Sequence, residues 1–291
     1  IWVSAQSTLS TGGNAIILST PNGVGNFFHK TWVGAEEETN TFNTIRLHWS
    51  VHPERDQDWR DEQEVLLGKK GAAQECDCDF VSSGDTVIDP QLLMFYKESF
   101  VQEPVEKTGF DGNLWKWEYP NYQKSYMVVA DVARGDSSDF SACHVIDIEE
   151  AAQVAEYKGK LDTKDFGNFL VSLATDYNNA LLVVENANIG WAVLQQVIDR
   201  GYQNTFYMSK DLKYVDTENQ LNNKYNRQDR GMVAGFSTTS KTRPLIISKL
   251  EQYIREKYIT IRSSRTIDEL FTFIWNGNRA EAMRGYNDDL T

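Results

Sequence analysis

Asp131 and Glu185 each close a short, wholly apolar run, Met127-Val128-Val129-Ala130 before the first and Leu181-Leu182-Val183-Val184 before the second. Such runs suit strands covered on both faces. A carboxylate at the end of one is costly to bury alone, so it is normally paired, hydrogen-bonded or bound to a cation. A third acidic group lies in Gly285-Tyr286-Asn287-Asp288-Asp289-Leu290, and Asp139 stands just before the strand that follows Asp131. Acids brought together from separate elements provide the oxygen ligands that Mg²⁺ or Mn²⁺ prefers. Two such ions roughly 3.5–4 Å apart can hold both the attacking and the leaving oxygen of a phosphoryl transfer. Without a cation these carboxylates would repel one another, and the pKa of at least one should rise. Taken alone, Tyr126 to Ile148 also reads as a hairpin whose Asp131 caps local backbone groups.

For the acids to meet, the two apolar strands must be neighbours. Parallel neighbours need a crossover, usually a helix, and sequential elements tend to be adjacent. The sequence provides one. After strands at Phe140 to Ile148 and Gln153 to Lys160, residues Phe166, Phe169, Leu170, Leu173, Ala174 and Tyr177 recur at helical spacing. Leu181 to Val184 follows, and then Asn186, Asn188 and Gly190 turn into a helix carrying Val193, Leu194, Val197 and Ile198, stopped by Gly201. Further on, Thr242 to Lys257 reads as a helix, Ile259 and Ile261 as a short strand, and Ile267, Leu270, Phe271 and Ile274 as another helical stripe. Asp288 and Asp289 then read as a helix start. Upstream, Asn14 to Leu18 and Thr44 to Trp49 read as strands and Trp59 to Leu67 as a helix. Gln91 to Phe100 reads as helical, within a turn-rich connector over 86–122 punctuated by Pro104, Gly109, Gly112 and Pro120.

The composition narrows the class. With 291 residues, 41% hydrophobic and 12% aromatic, the chain can bury a large core and hold two domains. No run of 18 apolar residues occurs and the opening lacks signal-peptide regions, so a soluble protein without a membrane partner is expected. Three cysteines, Cys76, Cys78 and Cys143, favour free thiols in a reducing compartment, and Cys76-Asp77-Cys78 has no second Cys or His pair to complete a zinc site. His48 and His52 sit beside Trp49 and Pro53, where packing and turn roles are expected. The net charge of −13 is uneven: residues 1–199 carry 14 Lys and Arg against 31 Asp and Glu, and residues 200–291 carry 15 against 11. A phosphate-tracking surface is therefore sought in the last third, where Lys213, Lys224, Arg227 and Arg230 lie in a long polar segment that reads as a β-hairpin insertion. A solvated charged face is the alternative.

The segment Ser19-Thr20-Pro21-Asn22-Gly23, followed by Gly25-Asn26-Phe27-Phe28-His29-Lys30-Thr31-Trp32, resembles the coupling motif of the large terminase subunit of tailed bacteriophages. DVARGDSSDFSA, VVEN and GYNDDL follow in the order and spacing of that family. The resemblance implies a ribonuclease H-like mixed sheet flanked by helices, preceded by the tail of a P-loop ATPase-type α/β domain. It implies three regions: 1–85 as the C-terminal part of the packaging-motor ATPase, 86–122 as the connector and 123–291 as the nuclease. It implies a metal-dependent endonuclease using two Mg²⁺ or Mn²⁺ ions to cut concatemeric viral DNA at packaging initiation and termination. Asp131, Glu185, Asp288 and Asp289 would be catalytic metal ligands, with Asp139 in support. Ser19, Thr20 and Asn22 would sense nucleotide state, and Lys213, Lys224, Arg227 and Arg230 would touch DNA. A Gly-Lys-Ser or Gly-Lys-Thr phosphate loop is missing here, so ATP hydrolysis is expected of the full-length protein only. The implied partners are double-stranded DNA, a portal protein and the small terminase subunit, in the cytoplasm of the infected host. The large subunit would be oligomeric on the portal, and this chain by itself monomeric or weakly associated. Two alternatives stay open: a non-catalytic DNA-binding or docking module of the motor, and a resolvase or transposase core of the same fold.

Overall fold

The computed structural model describes residues 12–80, 86–133, 140–187, 189–209, 232–277, 279–283 and 285–291. The chain divides into two compact units, Ile1–Asp85 and Thr86–Thr291.

In the first unit α1 (Phe27–Glu36) is capped by Asn26, whose side chain accepts the backbone N–H of His29 at 2.9 Å. The longer α2 (Gln57–Glu75) is broken at Gly68, where φ is 74°. Its buried Arg60 forms a two-pronged pair with Asp77 at 2.5 and 2.6 Å, which holds the segment after the helix against its first turns. The strands expected over 14–18 and 44–49 do not form. A strand exists by exchanging hydrogen bonds with a neighbour, and neither segment has one among the described residues. Ile16 and Leu18 accordingly stand 86% and 87% exposed.

In the second unit six strands form one sheet in the order β1-β2-β5-β4-β3-β6. They are β1 (Glu106–Thr108), β2 (Leu114–Lys116), β3 (Tyr126–Asp131), β4 (Ser141–Asp147), β5 (Ala152–Gly159) and β6 (Leu181–Val184). All pairs are antiparallel except β3 with β6, which run parallel and are joined through the crossover helix α4 (Thr163–Asp176). Within residues 86–122, β1 and β2 extend the sheet, and α3 (Pro90–Ser99) buries Leu93 and Tyr96 in the second unit.

One face of the sheet carries the core. Tyr126, Val128 and Ala130 of β3, Cys143 and Val145 of β4, and Ala155 and Tyr157 of β5 pack against Phe166, Leu170, Leu173 and Ala174 of α4. Val193, Leu194 and Val197 of α5 (Gly190–Asp199) complete it. The alternation along β3 leaves Val129 38% exposed, so this strand is covered on one face and partly open on the other, unlike the two-sided burial expected from its apolar run.

The opposite face is polar and just as closely satisfied. Buried Glu156 accepts from Arg265 Nε at 2.7 Å, Thr266 Oγ1 at 2.6 Å and Gln153 Nε2 at 3.1 Å. Gln153 also donates to His144 Nδ1 at 2.8 Å and accepts from the backbone N–H groups of Arg262 and Ser263, both at 2.9 Å. Ser263 caps α7 (Ser264–Thr272), which buries Ile267, Leu270 and Phe271. The helix expected over 242–257 forms as α6 (Thr242–Arg255), and β9 (Phe273–Asn276) pairs with β10 (Arg279–Ala282). Residues 259–261 form only an isolated bridge from Thr260 to Ala152.

Glu156→Ala would leave the half-buried Arg265 guanidinium and two buried donors without their acceptor, and should cost about 2–4 kcal/mol in denaturant unfolding. Lys97→Ala removes only an exposed pair with Asp268 at 3.4 Å, and should cost under about 1 kcal/mol in the same measurement.

Candidate metal-binding acid site

Strand register puts the first two acids side by side. Ala130 is paired with Val184, and the backbone N–H of Glu185 donates to the Ala130 carbonyl at 3.0 Å, so Asp131 and Glu185 leave adjoining strand ends together. The chain then turns sharply into α5. Gly190 is required there, since a Cβ at that position would lie 1.9 Å from the Glu185 carbonyl oxygen. The outer edge of β6 is closed by Phe206 N–H to Leu182 O and Phe236 N–H to Val184 O, both at 2.9 Å. Those residues flank the short antiparallel pair β7 (Tyr207–Ser209) and β8 (Met232–Ala234).

Burial, together with the negative charge of the neighbouring Glu185, pushes the Asp131 pKa up to about 7. The Val132 backbone N–H, 2.7 Å from Asp131 Oδ1, pulls the other way without cancelling this. Asp289 lies near enough to add to the repulsion. Its own carboxylate is 2.9 Å from the Lys158 ammonium. Asp288 turns elsewhere, toward Arg243 on α6 at 3.4 Å. The two adjacent acids are thereby distinguished: Asp289 faces the Asp131–Glu185 pair and Asp288 the neighbouring helix. The Leu290 N–H donates to Glu269 Oε2 at 2.7 Å, its carbonyl is 3.1 Å from His144 Nε2, and the Thr291 N–H donates to the Asp288 carbonyl at 3.1 Å, so Asp288 to Thr291 form a turn tied to α7 and β4. Among the described residues no three His, Cys, Asp or Glu side chains converge closely enough to hold an ion.

The remaining candidates separate into two groups. Asp139, Lys213, Lys224, Arg227 and Arg230 lie outside the described residues. Ser19, Thr20 and Asn22 belong to the first unit: Thr20 Oγ1 donates to Glu75 at 3.2 Å and accepts from Gln74 at 3.3 Å, Ser19 Oγ donates to the Thr20 carbonyl at 2.8 Å, and the Asn22 carbonyl accepts from Asn26 at 2.8 Å. His48 and His52 take turn roles, each accepting a backbone N–H two residues on through Nδ1 at 3.3 Å.

Lys158, Glu269 and His144 were not singled out from the sequence. The signal for Lys158 was present in β5, where Glu156 and Lys158 alternate with Ala155, Tyr157 and Gly159. That period of two marks a polar sheet face rather than a strand end.

No family model matches the chain. It is 24% identical over 225 residues to the large terminase subunit of Thermus virus P23-45, a stretch covering 70% of this chain and 43% of that protein. The same identity and coverage hold for the large terminase subunit of Thermus phage G20c. This chain resembles a large terminase subunit. It spans less than half the length of these curated relatives. Its fold is shared with the large terminase nuclease of phage G20c solved with bound magnesium, at a TM-score of 0.50 and 16% identity over 68% of this chain and 91% of that one. The sheet is accordingly ribonuclease H-like: three antiparallel strands, then a crossover helix to a fourth strand parallel to the first. Among the described residues no helix is long and apolar enough to cross a membrane.

An acid whose pKa is raised on folding binds a proton more readily in the folded state, so its contribution to stability falls as pH rises from about 4 toward 7. Asp131→Asn should therefore raise the melting temperature in EDTA at pH 8, with a smaller gain at pH 5. Adding Mg²⁺ at pH 8 should stabilise the parent and leave the variant where it was. Equal gains at both pH values would show that Asp131 does not carry this penalty.

Proposed function

We propose that this chain is the DNA-cutting part of a phage packaging motor, a divalent-metal-dependent endonuclease acting on concatemeric viral DNA at packaging initiation and termination. The observation that carries this reading is the Asp131–Glu185 pair, two carboxyls set side by side at adjoining strand ends, where burial and the neighbouring negative charge drive Asp131 toward protonation. A cation there would relieve the repulsion that a proton otherwise relieves. The donor set is all oxygen, which suits Mg²⁺ or Mn²⁺. The relative of the same fold was solved with bound magnesium.

Asp131, Glu185 and Asp289 would hold the ions, with Asp288 and Asp139 in support; when bound, the ions supply a nucleophilic water and stabilise charge on the phosphodiester. The chain's own contribution is positional. The ladder between β3 and β6 fixes the spacing of the first two acids, and α4 and α5 shield the other face of the sheet from water. Lys213, Lys224, Arg227 and Arg230 would track the DNA backbone, giving salt-sensitive, sequence-tolerant binding.

The similarity to large subunits extends the proposal to the longer protein. In it ATP would drive packaging, with Ser19, Thr20 and Asn22 in the coupling segment, and the portal protein and small terminase subunit would be partners in the host cytoplasm. Nothing in this chain resembles a phosphate loop with its lysine, so ATP turnover is assigned to that longer protein.

Supercoiled plasmid incubated with the protein and Mn²⁺ or Mg²⁺ should be nicked and linearised, and EDTA should stop the reaction. Asp131→Asn, Glu185→Gln and Asp289→Asn should each slow cleavage by at least about 10²-fold with unchanged circular dichroism, because each removes a metal ligand and no core packing. Parental rates in any two of these variants would overturn the assignment. DNA retention without metal-dependent cutting by the parent would favour a docking module instead.

A further inference from the structure

The acid site contains a cation of its own. Asp131 is paired across the sheet with Ala142, and Ala142 with Lys158, so the three form one row on one face, with the small Ala142 between the acid and the lysine. Lys158 is only 16% exposed, and its ammonium contacts two carboxylates, Glu269 on α7 and Asp289.

The backbone beside Asp289 is also held by hydrogen bonds of its own. Glu269 takes the Leu290 N–H, His144 meets the Leu290 carbonyl, and the Leu290 side chain is 3% exposed. Gln153 donates to His144 Nδ1, which leaves the His144 Nε2–H to donate to that carbonyl. The Asp289 carboxylate already has two donors, the Lys158 ammonium at 2.9 Å and Asn287 Nδ2 at 2.9 Å. A cation shared with Asp131 and Glu185 would compete with them for it.

Resting on the metal-site reading above, we propose that Lys158 is a positioning residue of that site, the counter-ion from which a divalent cation must draw Asp289. Lys158 keeps the third acid close to the pair while no metal is bound, and its hold on Asp289 sets how much of the metal's binding energy appears as affinity. Once Asp289 turns to the metal, Lys158 keeps Glu269 as its partner, so no unpaired charge is left buried.

Mn²⁺ binding, followed by calorimetry or by the paramagnetic resonance of free Mn²⁺, tests this without an activity assay. Lys158→Met should bind Mn²⁺ about tenfold more tightly than the parent, a modest site coupling. Its melting temperature without metal should be lower, and the rise on adding Mn²⁺ larger. Lys158→Arg should stay close to the parent, because the ion pair is retained. Lys160→Met is the control for the general field, since Lys160 is exposed one residue past the end of β5. Unchanged or weaker Mn²⁺ binding in Lys158→Met, or an equal gain in Lys160→Met, overturns the role of Lys158. If Lys158→Met does not fold, Lys158→Gln provides the same comparison. A parent that binds no more Mn²⁺ than Asp131→Asn removes the metal site itself, and the inference falls with it.

Discussion

Two carboxyls at neighbouring strand ends set the electrostatics of the candidate site. The β3–β6 ladder fixes the backbone of Asp131 and Glu185 side by side, because both lie within a residue of paired backbone. Water cannot fully screen them, since burial is the larger cause of the raised Asp131 pKa and Glu185 the next. The fold therefore holds a local penalty that a proton or a cation relieves. Such penalties concentrate where a protein binds or reacts, because a structure with no use for the contact could replace one acid at little cost.

The face of the sheet that carries these acids is organised by charge, and the other by volume. Phe166, Leu170 and Val193 fill the α4–α5 side, whereas Glu156, Gln153, His144, Lys158 and Glu269 meet α7 and the Asp288–Leu290 turn through named hydrogen bonds. Directional bonds fix position more sharply than apolar contact, and a site that must present several oxygens to one small volume needs that precision. The polar layer is satisfied at nearly every atom, which keeps its burial from becoming a liability.

Much of this was legible in the sequence where a local rule sufficed. Phe166 to Tyr177 announced the crossover by its period, and the two apolar runs ending in acids announced the neighbouring strands. Other features depended on partners far along the chain. Leu114 to Lys116 gave no strand signal of its own and becomes one by pairing with Ala155 to Tyr157. Asn14 to Leu18 had the composition of a strand and lacks one to pair with among the described residues. Asp288 and Asp289 looked interchangeable, and only Lys158 and Arg243, distant in sequence, tell them apart. Glu269 was hidden within the stripe of α7, its role fixed by a lysine 111 positions earlier.

That last separation bears on the order in which the molecule comes together. His144 and Leu290 are 146 positions apart, and they meet only when the sheet, α7 and the final turn have all docked. Closing so long a loop costs entropy before any contact repays it, and chains rich in such contacts fold slowly. The Asp131–Glu185 contact needs only the crossover between them, whereas the third acid waits for the far end of the chain. A nascent or half-folded molecule thus carries the repelling pair without its third member, and the complete acid site becomes a late product of folding, present only once the whole unit is assembled.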